Sequence, residues 1–250
     1  MNDQNPTRSN QVELSGVYTA YMGAQYPVIK NLNFSIEKGE FVVVGGPNGA
    51  GKTTLLETIN GMLPITYGSA KAFGLDVTQK GPEIRKKIGY VIQSFAFDPL
   101  TPFTVENVVM MGRYGLIGLF KKPEEADFKA AETSIKMLGL EDMCDKPIGT
   151  LSGGQQQKVL IAQNLAKKPE ILLLDEPFSN LDLCTREFTS GVLEDISSKG
   201  CTIVMVSHAF DALPDKAVRI VGMDNGAINL DQFCHSSEVE DKIRNMPAVS

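Results

Sequence analysis

Residues 41–54 read FVVVGGPNGAGKTT, and this stretch decides the fold. Residues 41–44 form a continuous apolar run, as expected for a strand that is covered on both faces. A helical run at 54–60 follows the glycine-rich part, so that part lies between a strand and a helix. The pattern G-x-x-x-x-G-K-[ST] is matched at its fixed positions by Gly46, Gly51, Lys52 and Thr53. The variable positions between them are Pro47, Asn48, Gly49 and Ala50.

The chemistry of a phosphate-binding loop explains this spacing. Glycines let backbone N–H groups surround phosphate oxygens, and the start of the next helix adds a partial positive charge. Lys52 can reach the β- and γ-phosphates of a nucleotide, the Thr53 hydroxyl can ligate Mg²⁺, and Thr54 belongs to the same binding segment. A glycine-rich turn that binds nothing is the alternative, and the strand–loop–helix context argues against it.

Other apolar runs of strand length lie at 88–92, 171–174 and 202–206. Helical segments separate them, which predicts an α/β fold with a parallel sheet. Residues 12–17 and 28–36 also look extended. Two short strands are expected at 217–221 and 227–230, divided by the hairpin turn signal at 224–226.

The region 94–150 has a different character and is predicted to be a helical subdomain inserted between two strands. Phe128, Ala131, Ile135 and Leu138 recur at helical spacing, which predicts an amphipathic helix between residues 123 and 140. The chain is therefore divided into three parts. These are a flexible arm at 1–10, a domain at 11–235, and a C-terminal helix (236–245) and tail at 236–250.

The composition narrows the class of protein. Lys and Arg number 24 against 30 Asp and Glu, and the net charge of −6 argues against a nucleic-acid partner bound through a global basic field. The polar start MNDQNPTRSN shows no signal peptide, and no run approaches the roughly 18–20 apolar residues of a membrane span. The scattered residues Cys144, Cys184, Cys201 and Cys234 predict neither a disulfide framework nor a zinc site, which favours a reducing cytosol.

Two adjacent carboxylates, Asp175 and Glu176, follow the apolar run at 171–174. Ligands of open α/β sheets bind outside the carboxyl ends of the strands. In a chain that also carries a phosphate loop, the pair predicts that Asp175 holds Mg²⁺ and that Glu176 polarises an attacking water. In a chain without such a loop, the pair would be a solvated strand end.

The run Leu-Ser-Gly-Gly-Gln at 151–155 is the most specific element. Ser152 and Gln155 fit a capping box that starts a helix running to residue 167. Gly153 and Gly154 in the first turn each cost about 1 kcal/mol relative to alanine. We therefore expect an anionic group to approach this helix start closely.

The loop at 46–53, the run at 151–155 and Leu-Leu-Leu-Asp-Glu-Pro at 172–177, in that order, closely resemble the ATP-binding-cassette (ABC) ATPases. The resemblance covers residues 11–230. It implies a P-loop NTPase fold, namely an ABC-type ATPase core with a parallel sheet, an N-terminal antiparallel β region and an inserted helical subdomain. It also implies that the chain binds ATP and Mg²⁺ and hydrolyses ATP.

The resemblance gives roles to positions outside the main motifs. Gln93 corresponds to the glutamine-loop residue that contacts Mg²⁺ and senses the γ-phosphate, and His208 matches the switch histidine that clamps the γ-phosphate. Residues 179–182 correspond to the loop that crosses a dimer interface. After the 151–155 run the family usually has Ala-Arg-Ala where 161–164 reads Ile-Ala-Gln-Asn, so a local salt bridge is expected to be missing.

An aromatic side chain upstream of the phosphate loop stacks on adenine in this family. Tyr18, Tyr21 and Tyr26 compete for that position, and the spacing to the strand at 28–36 favours Tyr21. Packing is the alternative role for any of the three.

The resemblance also implies partners. Two copies, as a homodimer or pseudo-dimer, sandwich two ATP molecules, and the 152–155 helix start of one copy closes the site of the other. The ATPase would act on a separate integral membrane permease at the cytoplasmic side of the membrane, together with an extracytoplasmic solute-binding protein.

A narrower resemblance concerns the cargo. Residues 104–115 and 145–150 are similar to the zinc/manganese and iron-chelate importer ATPases. An importer for another substrate, a soluble ABC ATPase of iron–sulfur assembly and a binding module with a dead site are the alternatives. Within the insertion, a hydrophobic core, a groove for a short permease helix, or both at once would use Phe95, Phe97, Leu100 and Phe103.

Overall fold

The computed structural model describes residues 10–93, 97–179 and 181–247. Its strands are β1 (Asn10–Thr19), β2 (Ile29–Glu37), β3 (Phe41–Gly45), β4 (Ile65–Ala72), β5 (Leu75–Asp76), β6 (Ile88–Val91), β7 (Ile171–Asp175), β8 (Thr202–Val206), β9 (Ala217–Asp224) and β10 (Ala227–His235). Its α-helices are α1 (Lys52–Ile59), α2 (Gly81–Arg85), α3 (Val105–Ile117), α4 (Glu125–Met137), α5 (Gly153–Leu165), α6 (Leu183–Ser198) and α7 (Val239–Arg244). No helix in these described ranges is long and apolar enough to cross a bilayer.

The central sheet has the strand order β10-β9-β3-β8-β7-β6. The neighbours β3, β8, β7 and β6 pair in parallel, as the apolar runs predict, and β9 adds in parallel to β3. The N-terminal strands form a separate antiparallel sheet in the order β2-β1-β4-β5. This arrangement confirms the α/β fold class with an N-terminal antiparallel β region.

The central strands are buried from both faces. Every residue of β3, β7 and β8 is buried. One hydrophobic cluster joins the sheet to α1 and the N-terminal strands, and the other joins its opposite face to helices that include α3, α4, α5 and α6. These strands therefore read as continuous apolar runs rather than as alternating patterns.

The β9–β10 hairpin forms at the predicted turn, where Asn225 and Gly226 have φ values of 48° and 82°. Positive φ at both central residues is the backbone that a two-residue hairpin favours. The expectation of two short strands is wrong, since β9 has 8 residues and β10 has 9. An ion pair also links the two strands, since Arg219 Nε donates a hydrogen bond of 2.7 Å to Asp231 Oδ1.

Helix α4 confirms the amphipathic helix, with Ala131, Ile135 and Leu138 buried. The assignment of Phe128 to the buried face is wrong, since 51% of it is exposed. Its neighbour Asp127 takes the inward position, because Arg113 Nε donates a hydrogen bond of 2.9 Å to the Asp127 carboxylate. A buried ion pair thus replaces the apolar residue that the periodicity suggests.

Strand β6 lies at the edge of the central sheet, and α5 covers part of that edge. Asn164 is 6% exposed. Its Oδ1 accepts a hydrogen bond of 2.9 Å from the Tyr90 amide, and its Nδ2 donates one of 2.9 Å to the Leu160 carbonyl. Asn164, in the segment that departs from the usual Ala-Arg-Ala of the family, therefore joins α5 to edge strand β6.

We expect Asn164→Leu to lower the free energy of unfolding by about 1–3 kcal/mol, because the Tyr90 amide loses its acceptor in a partly buried place. Urea denaturation followed by circular dichroism measures this change. Asn10→Leu, at an exposed residue, is the control and should change stability by less than about 0.5 kcal/mol. Equal effects of the two variants would contradict the role of Asn164.

Candidate active site

The loop at residues 46–51 turns back on itself between β3 and α1. Gly46 and Gly51 have φ values of 136° and 98°, in the region that favours glycine. A Cβ on Gly46 would also overlap the carbonyl oxygen of Met223. The Gly51 carbonyl accepts the Leu55 amide at 2.8 Å, so α1 starts directly from the loop. The backbone thus has the compact form that a phosphate cradle requires.

Lys52 reaches back over this loop. Its Nζ donates hydrogen bonds of 2.8 Å to the Gly46 carbonyl and 2.9 Å to the Pro47 carbonyl. Burial lowers the pKa of the Lys52 ammonium, while the nearby Glu176 and Asp175 act in the opposite direction. The cation is therefore held at the loop by carbonyl dipoles.

Thr53 and Asp175 meet across the sheet. Thr53 Oγ1 donates a hydrogen bond of 2.7 Å to Asp175 Oδ2, whereas the buried Asp175 Oδ1 has no partner among the described residues. Burial raises the pKa of Asp175, and the bond from Thr53 opposes the rise. Hydroxyl, carboxylate and amide oxygens suit Mg²⁺, so Thr53 and Asp175, with Gln93 in the same cavity, fit this ion.

Glu176 follows β7 in a left-handed conformation, with φ 51°. This conformation is uncommon for a residue with a side chain. The Glu176 amide donates a hydrogen bond of 2.9 Å to the Val206 carbonyl, and Glu176 Oε1 lies 3.2 Å from His208 Nε2. Burial raises the pKa of Glu176, and Asp175 adds to the rise, whereas His208 and Lys52 act against it. Two chain segments thus hold one carboxylate at the cavity wall.

Lys52, Thr53, Asp175 and Glu176 line one cavity of about 550 Å³, whereas His208 lies outside its lining and reaches it only through its contact with Glu176. Cavities of this size fit small-molecule ligands. Its wall includes the loop, Gln93, Asp175 and Glu176. The structure therefore brings most of the sequence-predicted site residues to one place.

The three candidate tyrosines lie in different surroundings. Tyr21 lines the cavity, whereas Tyr18 packs edge-on against Tyr67 and Tyr26 is 71% exposed. The Tyr21 hydroxyl donates 2.6 Å to Glu57 Oε2 and lies 3.2 Å from Thr54 Oγ1. Sequence reasoning missed Glu57, although a carboxylate one helical turn after Thr53 is a signal that could have found it.

The helix start at Ser152 does not share this cavity. The predicted capping box is confirmed, with Gln155 N donating 3.3 Å to Ser152 Oγ and Ser152 N donating 2.9 Å to Gln155 Oε1. Among the described residues that line the cavity there is none from 152–155. In the 179–182 loop, Asp182 caps α6 through Thr185, and Asn180 lies outside the described residues.

A second cavity, of about 300 Å³, lies between β6, α3 and α5. Its lining includes Tyr90, Ile92, Phe97, Met111 and Leu160. The assignment to a hydrophobic core is wrong for Leu100 and Phe103, which are 89% and 47% exposed. Phe95 lies outside the described residues. The segment leading into α3 therefore leaves apolar side chains on the surface.

The cysteines are free thiols at separate places in the fold. Burial raises the pKa of the Cys201 thiol to about 12. No group of three or more His, Cys, Asp or Glu side chains in the described parts of the chain could hold a metal ion.

Comparison with known proteins places this geometry in a family. The sequence model of the ABC transporter family matches residues 29–179. The manganese transport system ATP-binding protein MntB of Bacillus subtilis (strain 168) is 37% identical over 204 residues, which are 82% of this chain and 79% of MntB. The zinc transport system ATP-binding protein TroB of Treponema pallidum (strain Nichols) is 33% identical over 210 residues, which are 84% of this chain and 77% of TroB.

A solved structure gives the same result. It is a dimeric ATP-binding cassette in a post-hydrolysis state with ADP and phosphate bound, at 32% identity and a TM-score of 0.75. The match covers 88% of this chain and 97% of that cassette. The family match, the curated relatives and this fold agree, and the chain belongs to the ABC transporter family of ATP-binding proteins.

Proposed function

We propose that this chain is the ATP-hydrolysing subunit of an ABC importer for metal ions or metal chelates. The observation that carries the proposal is the position of the Glu176 carboxylate. It lies 3.2 Å from His208 Nε2, and Glu176 lines the same cavity as residues of the phosphate loop. The cargo is proposed from relatives named for manganese and zinc transport systems.

In the proposed reaction, the loop amides and Lys52 bind the phosphates of ATP, and Tyr21 stacks on the adenine. Thr53, Gln93 and Asp175 would hold Mg²⁺, which neutralises phosphate charge when bound. Glu176 accepts a proton from the attacking water at its carboxylate. His208 orients that carboxylate through the short contact and clamps the γ-phosphate.

The proposed assembly has two ATPase chains beneath a separate membrane permease, at its cytoplasmic side, with a solute-binding protein outside. Support for a pair comes from the exposed helix start at 152–155, which lies away from its own chain's cavity. The apolar cavity beside Phe97 and the exposed Leu100 and Phe103 offer a permease helix a surface to bury.

Lys52→Ala should abolish tight ATP binding, because the ammonium contacts phosphate in the ground state. Glu176→Gln should retain ATP binding and lose about 10²–10⁴-fold in turnover, because it removes only the base. Calorimetry measures binding, and single-turnover phosphate release measures hydrolysis. Glu170→Gln, at a half-buried glutamate directly before β7 that is ion-paired with Lys87, is the matched control. Hydrolysis by Glu176→Gln at the wild-type rate would falsify the assignment of the base.

The raised pKa of Glu176 gives a pH dependence. The base acts in its ionised form, so kcat/KM should fall as the pH falls through this raised pKa, at a higher pH than for a glutamate whose pKa is not raised. His208→Ala should move the acid limb to still higher pH, because His208 holds the Glu176 pKa down. A pH series of initial rates checks both shifts. If kcat/KM of His208→Ala falls at the same pH as that of the wild type, the proposed effect of His208 on Glu176 is wrong.

Mixing two dead variants tests the shared site. Lys52→Ala and Ser152→Arg chains should each be inactive, and their mixture should regain part of the activity, since one site of each mixed dimer carries neither defect. Thr104→Arg, which removes the matching capping box on α3, is the control for lost helix capping and should stay active alone.

The mixture stays dead if the sites are not shared or if they cannot act independently. Wild-type chains mixed with Lys52→Ala separate these cases, because strict coupling predicts that those mixed dimers are dead as well. With Lys52→Ala chains in large excess, most wild-type chains are in mixed dimers; activity of these dimers beside an inactive first mixture would rule out the shared site.

A further inference from the structure

The C-terminal segment packs against the base of the phosphate loop. Val239 anchors α7 with no exposed surface, and Ile243 packs against the same hydrophobic cluster. Asn229 Nδ2 donates a hydrogen bond of 3.3 Å to the Pro247 carbonyl, which keeps the chain after α7 against β10. None of the described residues of this segment lines the nucleotide cavity.

Two glycines make room for this contact. Gly45, the last residue of β3, pairs with Gly222 of β9. A Cβ on Gly45 would lie 2.7 Å from Ile243 Cδ1 and 2.9 Å from its Cγ1, and a Cβ on Gly222 would overlap Met246 Sδ. These separations are too short for packed carbon atoms. Ile243 and Met246 therefore fill the space that the bare backbone leaves on the sheet.

The contact with Ile243 is one peptide away from the residues that hold Lys52. Gly46 and Pro47, whose carbonyls accept from Lys52 Nζ, follow Gly45 directly. The Met223 carbonyl restricts Gly46 in turn, since it occupies the place of any side chain there. Because the Met223 carbonyl confines Gly46, a displacement of Gly45 acts on the acceptors of Lys52, which follow it directly in the chain.

We propose that Ile243 is a positioning residue for the phosphate loop, acting through Gly45 on the carbonyls that hold Lys52. The inference rests on the proposed function, because it takes the loop to bind ATP. Ile243 touches no substrate atom; it fixes where the strand ends and the loop begins.

The experiment measures the ATP affinity of the full chain by calorimetry with Mg²⁺ present. Gly45→Ala should weaken ATP binding about tenfold or more, because the added methyl overpacks against Ile243. The double variant Gly45→Ala/Ile243→Ala should bind ATP more tightly than Gly45→Ala. In steady state, the KM for ATP should rise more than kcat falls, since Glu176 and His208 lie on other strand ends.

Gly89→Ala is the matched control. A Cβ there would lie 2.8 Å from Leu172 Cδ1, so the crowding resembles that at Gly45 but lies on edge strand β6. It should lower the melting temperature like Gly45→Ala and leave the ATP affinity within about twofold, because separate sites act independently. A loss of affinity equal to that of Gly45→Ala would overturn the proposal.

Single substitutions at Ile243 keep the test decisive if Gly45→Ala does not fold. Ile243→Ala should weaken ATP binding several-fold, and Ile243→Val should bind close to wild type. The proposal is wrong if Ile243→Ala binds ATP as tightly as wild type, or if the double variant binds no better than Gly45→Ala. A wild-type chain that binds no ATP would instead overturn the proposed function.

Discussion

The site depends on the hydrogen bond from Thr53 to Asp175, which joins residues 122 positions apart in the chain. It can form because β3 and β7 both pair in parallel with β8, so their carboxyl ends reach the same edge of the sheet. The phosphate loop leaves one of these ends and the two carboxylates leave the other. Without this strand order, the two motifs would be distant sequence patterns with no common cavity.

Charge in the cavity imposes a second constraint. Asp175 and Glu176 are adjacent, and burial raises the pKa of each. Lys52 is the single cationic side chain among the described residues of the cavity wall. A polyphosphate that enters beside two carboxylates is repelled at short range, and one ammonium does not balance that charge. Asp175 Oδ1, which has no hydrogen-bond partner among the described residues, is an acceptor that a divalent cation would satisfy.

The sequence predicts the parts of this structure that local chemistry dictates. The loop at 46–53, the buried strands and the Ser152 capping box follow from residue type and spacing alone. The missed features depend on contacts between distant segments. Polar residues in β10 hide its length because their partners lie on β9. The buried Asp127 accepts hydrogen bonds from Arg113, on another helix, and from the Glu124 amide.

The candidate active site shows the same division between features set by local sequence and features set by contacts of distant segments. Tyr21 is favoured by spacing, but its bond to Glu57 depends on how the β1–β2 connection folds over α1. Strand β4 escapes prediction because Gly68 interrupts it and most of its side chains are exposed. Local patterns therefore find the chemical groups, and tertiary packing decides which of them meet.

The two carbonyls that hold Lys52 make phosphate binding an exchange reaction. In the free chain the ammonium is already solvated by the loop's own backbone, so an incoming ligand must displace these dipoles before it gains the cation. A negatively charged phosphate does so with a net benefit, because a charge-assisted bond is stronger than one to a neutral carbonyl. A neutral nucleoside forms no such charge-assisted bond with the ammonium. The loop carbonyls therefore compete with any ligand for Lys52, and this competition favours ligands that carry negative charge over neutral ones.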